Sequence, residues 1–201
     1  MKQPVEPKHV NRLINHGPTV LVSAEHAGRR NVMAAAWSMP VEFVPPRVAV
    51  VLDKTTYTRE LVLASGRFAL NVPCRAVMDL AYSVGSVSGR DAAVQGEDKF
   101  QRYGIAAFAG SSLGLPLVEG CVAWLECRLI SEPHAQAAYD TFFGEVVGAW
   151  ADDRVFQAGR WSFRADNTEL HTVHHLGGGA FALPAIGSEQ ARQLPARNEA
   201  A

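Results

Sequence analysis

Residues 31–58, NVMAAAWSMPVEFVPPRVAVVLDKTTYT, constrain the fold more than any other stretch. Pro45 and Pro46 bring no N–H to a ladder and hold the residues before them extended, so they mark a turn between two strand-like runs. The second run, RVAVVL at 47–52, is almost uninterruptedly apolar, the pattern of a buried strand. The first run contains Ala34, Ala35 and Ala36, poor strand formers by propensity. Three small side chains in a row leave backbone that a flat ligand can approach; they equally suit a tight crossing inside a barrel. The stretch ends in DKTTYT, and a short helix over 59–65 follows, with Leu61 and Ala64 on its apolar side and Gly66 as its C-terminal cap. The threonines thus stand at a helix N-terminus, where free N–H groups and the positive end of the dipole favour a phosphate. Lys54 adds a charge there, and Thr56 and Thr58 add hydroxyls. The competing reading makes Thr56 an ordinary N-cap and Lys54 a solvated side chain.

The rest of the chain supplies more short strands. TVLVSA at 19–24 is a β-branched strand entered from Gly17-Pro18, and HAGRR at 26–30 is a tight connection to a second strand over 31–38. FALNV at 68–72 is a strand ended by Pro73, and residues 75–84 carry Val77, Leu80, Ala81 and Val84 at helical spacing. GSVSGRDAAVQG at 85–96 reads as a flexible connection of the kind that carries binding residues, and EDKFQRY at 97–103 as a helical segment stopped by Gly104. Two further strands, CVAWLECRLI at 121–130 and TFFGEVV at 141–147, flank a turn around Pro133-His134. Strands at hairpin spacing with only short helices between them predict a mainly β fold, a closed barrel with helical insertions. A doubly wound parallel sheet needs longer alternating helices and a GxGxxG after the first strand; Gly177-Gly178-Gly179 leads into no helix.

Composition narrows the function. At 201 residues, 48% hydrophobic and 19% charged, the chain is long enough for one domain with a real core. A net charge of −1 gives no basic surface for nucleic acid or anionic lipid. The opening MKQPVEPKHVNRL lacks the apolar core of a signal peptide, and no later run is long enough to span a membrane, so the chain reads as soluble and cytoplasmic. Cys74, Cys121 and Cys127 are odd in number and lack CxxC spacing, which favours reduced thiols over a disulfide frame or a metal knuckle. His171 and His175 have the i,i+4 spacing of a zinc pair, but no acidic or cysteine partner stands at metal spacing.

Taken in order, these pieces resemble a known family. The series is TVLVSA; N-x-M-x-A-x-W at Asn31, Met33, Ala35 and Trp37; Pro45-Pro46 before an apolar strand; the threonine-rich helix start; and F-x-x-N-V-P ending at Pro73. It continues through Ser88-Gly89, Asp98-Lys99-Phe100, the PLVEGCVAWLEC run ending at Cys127, and Gly144-Glu145-Val146. The ordered series, covering 17–179, is similar to the flavin reductase-like, flavoredoxin-type FMN-binding split-barrel proteins. It divides the chain into an N-terminal extension over 1–16, the domain over 17–187 and a polar tail over 188–201. The resemblance implies a split β-barrel homodimer that binds FMN non-covalently near the subunit interface and, in several branches, reduces flavin with NADH or NADPH. On the matching positions, Asn31, Met33, Ala35, Ala36 and Trp37 lie along the isoalloxazine ring and ribityl chain, with Ala34 in the same cofactor-binding strand. Lys54, Thr56 and Thr58 take the phosphate, and Asn71 and Lys99 are further candidates for the ribityl chain or phosphate.

Two departures bear on function. Relatives often carry Ser where this chain has Ala36, so a contact there comes from backbone. They also often show an Asp-His pair before the Gly-Glu-Val segment, where this chain has Tyr139-Asp140 and no histidine, which bears on hydride-donor binding. The implied activity is electron transfer from NAD(P)H to flavin. Its alternatives are a flavoredoxin-like carrier reduced by a protein partner, or a non-redox split barrel that binds another small molecule. A flavin carries the redox chemistry itself, so no side chain is assigned as a proton donor. Trp37 is read either as a wall for the ring or as plain core, and Arg90 as a contact for a pyridine nucleotide phosphate or a solvated arginine. The segment with His171, His174 and His175 is read as a surface or interface element from which one histidine reaches flavin or nicotinamide.

Overall fold

Ala27 and Gly28 both have positive φ, 50° and 73°, and join two strands whose last pair is His26 opposite Arg29. That is the two-residue turn whose twist matches the twist of a hairpin, so HAGR folds locally as the sequence predicts. The computed structural model describes residues 2–13, 17–94 and 96–188. Its strands in chain order are β1 (Lys2–Pro4), β2 (Val20–His26), β3 (Arg29–Ala35), β4 (Ser38–Glu42), β5 (Arg47–Val51), β6 (Arg67–Val72), β7 (Ala107–Ala109), β8 (Pro116–Val118), β9 (Ala123–Ile130) and β10 (Thr141–Asp152). Three short pairs complete them: β7 with β8, β11 (Phe156–Gln157) with β12 (Arg160–Trp161), and β13 (His174–Gly177) with β14 (Ala180–Ala182). The α-helices are α1 (Tyr57–Ser65), α2 (Met78–Ser86), α3 (Gly89–Val94), α4 (Lys99–Arg102) and α5 (Pro133–Ala138).

The main sheet is antiparallel in the order β3-β2-β6-β9-β10-β5-β4. Strand spacing alone suggests a barrel closed on itself; here the ladder instead has two ends, β3 and β4, which makes the barrel a split one. Strand β1 joins it by pairing with β10, Lys2 opposite Asp152.

Both faces of the central strands are buried, which explains their nearly continuous apolar runs. Val20, Val22 and Ala24 of β2 enter one core with Phe68, Leu70 and Val72 of β6 and Leu125 of β9. The alternate positions Leu21, Ala69 and Trp124 face a second core made with Ala81 and Val84 of α2, Phe100 of α4, and Leu117 of β8.

Two connections differ from expectation. Residues 85–96 are not simply a flexible connection: α2 runs to Ser86, and α3 begins at Gly89. Gly85 is there for close packing, since a Cβ on it would stand 3.0 Å from Ala34 Cβ. This contact gives the alanine run a packing role, because a larger side chain at 34 would push α2 off the strand. The segment at Pro133-His134 is helix α5, with Pro133 in its first turn, where a missing N–H goes unnoticed.

Candidate functional site

The sequence DKTT folds around Asp53. Its carboxylate accepts from the Thr55 N–H at 2.8 Å and the Thr55 hydroxyl at 2.6 Å. These bonds hold the Asp53 carboxyl below the usual carboxylate range. Its carbonyl accepts from the Thr56 N–H at 3.0 Å and the Thr56 hydroxyl at 2.7 Å. The turn delivers Thr56 as the N-cap of α1, and the Thr56 side chain makes no capping bond to the first-turn amides. These amides remain donors for an anion.

Thr58, the second residue of α1, is fully buried and accepts from Asn31 Nδ2 on β3 at 2.8 Å. A hydroxyl has one proton and two lone pairs, so Thr58 keeps its proton to donate while Thr55 and Thr56 have spent theirs inside the turn. Asn31 in turn is only 2% exposed and lies against Gly89, where any Cβ would stand 2.4 Å from Asn31 Oδ1. Glycine at 89 is what lets α3 close on this pair.

Lys99 enters from α4. It is 2% exposed, and its ammonium donates to the Val32 carbonyl at 3.0 Å and the Val84 carbonyl at 2.6 Å, with no ion pair among the described residues. Burial depresses its pKa from 10.5 to about 8, partly opposed by the charge of Asp91. Its bond to Val32 also fixes the orientation of β3. The N–H and C=O of one residue in an antiparallel strand point to the same side, and the side alternates along the strand. Since the Val32 carbonyl points away from β2, the backbone groups of Ala34 also face the open edge of the sheet.

These groups line an open polar cleft of about 210 Å3, together with Met33, Ala34, residues 55–57 and residues 84–88. The sequence reading brings Asn31, Met33, Ala34, Thr56, Thr58 and Lys99 together here, but other candidates lie elsewhere. Lys54 is exposed and outside the lining, because the Asp53 turn carries it away from the helix end. Ala35 points into the barrel core at 8% exposure, on the opposite face of β3. Trp37 is neither core nor part of this cleft: it is 74% exposed and lines a separate apolar groove with Ala36, Met39 and Val50. Asn71 is fully buried; its amide donates to the Leu21 carbonyl and Ser23 Oγ and accepts from Val118 N–H, so it ties β2, β6 and β8 together.

Arg90 is exposed, as a solvated arginine is, and it also donates to the Thr55 carbonyl at 2.6 Å and pairs with Glu60. His171 is buried, its Nε2 3.1 Å from both the Arg164 carbonyl and Asn167 Oδ1, whereas His175 is exposed on β13. Asp140, beside the missing histidine, pairs with Arg59. The residues that reading for motifs missed are Asp53, which shapes the turn, and Gly85, which packs α2 on β3. The Asx-turn pattern of Asp53 two residues before Thr55 is a signal that finds the first.

The flavin reductase-like domain profile matches residues 12–167. The Escherichia coli (strain K12) protein YddH is 56% identical over 181 residues, covering 89% of this chain and 92% of its own. An FMN-binding domain of a flavin reductases-like enzyme from Shewanella baltica OS155 superposes with a TM-score of 0.88 at 44% identity, over 95% of this chain and 98% of that one. Flavoredoxin of Desulfovibrio vulgaris (Miyazaki F) does so at 0.70 and 26% identity, over 88% and 90%.

Proposed function

Since this chain belongs to the flavin reductase-like, FMN-binding split-barrel family, we propose that it is an oxidoreductase that holds FMN in the cleft and passes electrons to it from NADH or NADPH. The observation that carries the reading is the convergence on one cleft beside an open strand edge of donors with protons left to give: the α1 first-turn amides, the Thr58 hydroxyl and the one N–H of Lys99 not spent on the Val32 and Val84 carbonyls. This donor set fits a phosphate monoester, which carries about −1.5 to −2 charge at neutral pH. A flavin, once bound, supplies the hydride and electron chemistry itself. The chain's own groups bind and orient. Thr58 and the α1 amides hold the phosphate, Lys99 balances charge, and the outward N–H of Ala34 is the backbone donor for the polar rim of the ring. Met33 and Val84 keep water from the cleft wall.

The test is direct. The purified protein is expected to bind FMN with saturable quenching of flavin fluorescence, and to oxidise NADH or NADPH when FMN is present. A protein that fails to bind FMN sinks the cofactor assignment.

A second reading is a flavoredoxin-like carrier reduced by a protein partner. It is favoured by the pairing of Asp140 with Arg59, which leaves neither a histidine nor a free carboxylate at the position before the Gly-Glu-Val segment. Slow reduction by both nicotinamides with FMN bound selects it.

The assembly belongs to the same proposal. Trp37, Met39, Phe43 and Val44 are between 58% and 79% exposed along the β4 end of the sheet, an apolar strip suited to a second copy of the chain. A dimer by sedimentation that Val44→Glu shifts to monomer supports this, and a monomeric wild type refutes it. The three cysteines are buried free thiols, which suits a reducing cytoplasm.

A further inference from the structure

Neighbouring residues of β3 hold the pieces of the anion-binding cleft. Asn31 donates to Thr58 of α1 at 2.8 Å, and the Val32 carbonyl accepts from Lys99 at 3.0 Å. Arg30, just before them, takes hold of the segment that carries Lys99. Its Nε donates to Asp98 Oδ2 at 2.6 Å, and its guanidinium lies 4.6 Å from the centroid of the Phe100 ring.

Asp98 and Phe100 flank Lys99 in sequence, Asp98 as the N-cap of α4 and Phe100 as its second residue. A helix of one turn does not hold itself together, so α4 keeps its shape through bonds to its surroundings and its cap. Asp98 supplies both. Its Oδ1 accepts from the Gln101 N–H at 2.8 Å while Gln101 Oε1 accepts from the Asp98 N–H at 3.0 Å, and its Oδ2 takes the Arg30 bond. One carboxylate oxygen thus closes the turn and the other ties it to β3. Phe100 anchors the same turn in the second core at 2% exposure, beneath the Arg30 guanidinium.

Lys99 needs this support. A lysine has a long flexible stem and a strongly hydrated head, and burying that head costs free energy. The charges around it supply little hold. Asp91 of α3 opposes the effect of burial only in part, Arg30 and Asp98 neutralise one another, and Arg90 of α3 is turned to Glu60 of α1. The groups it meets on β3 and α2 are neutral carbonyls, Val32 and Val84. Its place at the cleft therefore depends on where the backbone of α4 starts the side chain.

We propose that Asp98, braced by Arg30, is a positioning residue that holds the buried Lys99 ammonium at the cleft and so sets how strongly the cleft retains a phosphate. The consequence for FMN rests on the function proposed above; the placement of Lys99 does not.

The experiment makes two measurements on the full chain. The first follows the titration of Lys99 without flavin, by heteronuclear NMR of the lysine Cε and Nζ signals, assigned with Lys99→Met. In wild type the midpoint is expected near 8, and in Asp98→Ala, which releases α4, it is expected to rise toward 10.5 as the ammonium regains water. The second is FMN affinity by fluorescence titration. Asp98→Ala is expected to weaken it at least about fivefold at pH 7, and to change it by less than about twofold in the Lys99→Met background. Asp98→Asn, which keeps an N-cap acceptor and gives up the ion pair, is expected to fall between wild type and Asp98→Ala in both measurements. Should Asp98→Ala fail to fold, Arg30→Met keeps the cap, loses the brace and is expected to move both readouts in the same direction. A merely structural role lowers the melting temperature but leaves the Lys99 midpoint near 8. That result, or full additivity of Asp98→Ala with Lys99→Met, overturns the proposal. Failure of the wild type to bind FMN instead refutes the flavin reading, and the Lys99 titration still decides the placement.

Discussion

Replacing Lys99 by Met keeps an unbranched apolar stem one atom shorter and removes the charge. A folded-state pKa of about 8, against the usual 10.5, means that keeping this ammonium in place at pH 7 costs about 3 kcal/mol, at about 1.4 kcal/mol per tenfold change. Met removes that cost but leaves the Val32 and Val84 carbonyls without their donor, at about 1–3 kcal/mol each. The two effects offset one another to between about 1 kcal/mol of gain and about 3 kcal/mol of loss, so the melting temperature of the flavin-free protein is expected to rise by at most about 4 °C or fall by at most about 12 °C. Binding behaves differently. Losing a charge-assisted bond to a phosphate costs about 1.5–3 kcal/mol, a rise in FMN dissociation constant of about 10- to 150-fold. The pH dependence gives an independent check. Between about 8 and 10.5 the native chain has released this proton while the unfolded chain still holds it, so this group makes stability rise with pH in that window. Phosphate binding favours the charged form, so FMN affinity falls as pH rises above about 8. Fluorescence titration with FMN and with riboflavin, which lacks the phosphate, at pH 7 and 9 reads all of this. Equal FMN affinity in Lys99→Met and wild type at pH 7, or a wild-type affinity flat across that range, refutes the reasoning.

Three further variants separate the site from its scaffold. Thr58→Val removes the one threonine proton left to donate and is expected to weaken FMN by about 5- to 30-fold; Thr56→Ala, whose hydroxyl is spent on Asp53, changes it by less than about threefold, both by fluorescence titration. Asn71→Ala breaks the tie between β2, β6 and β8 and is expected to cost about 2–4 kcal/mol in urea unfolding while leaving the FMN affinity of the folded protein unchanged. Glu126, fully buried, accepts from the N–H groups of Ser112, Leu113 and Leu115; Glu126→Ala orphans all three and is expected to cost about 3 kcal/mol or more by the same assay.

Much of the barrel was legible before any coordinate, because its signals are local. The β2–β3 turn, the Pro45-Pro46 entry to β5, the Thr56 start and Gly66 end of α1, and the apolar runs of β6 and β9 all appear where the residues place them. The helices α3 and α5, six residues each, are too short for periodicity to show, whereas α4, shorter still, lies within the helical segment that Gly104 ends.

The site itself divides along the same line. The sequence alone determined that threonines stand at a helix N-terminus beside a strand of small residues, because capping and propensity act over a few neighbours. Only the tertiary structure decided which of those groups are available. Thr58 keeps its proton because Asn31, 27 positions away, donates to it, and Lys99 becomes a buried cation because it meets Val32, 67 positions away. Trp37 leaves the cleft and Asn71 is consumed by the core for the same reason: burial and hydrogen-bond partners are set by contacts between distant segments, which no local pattern records.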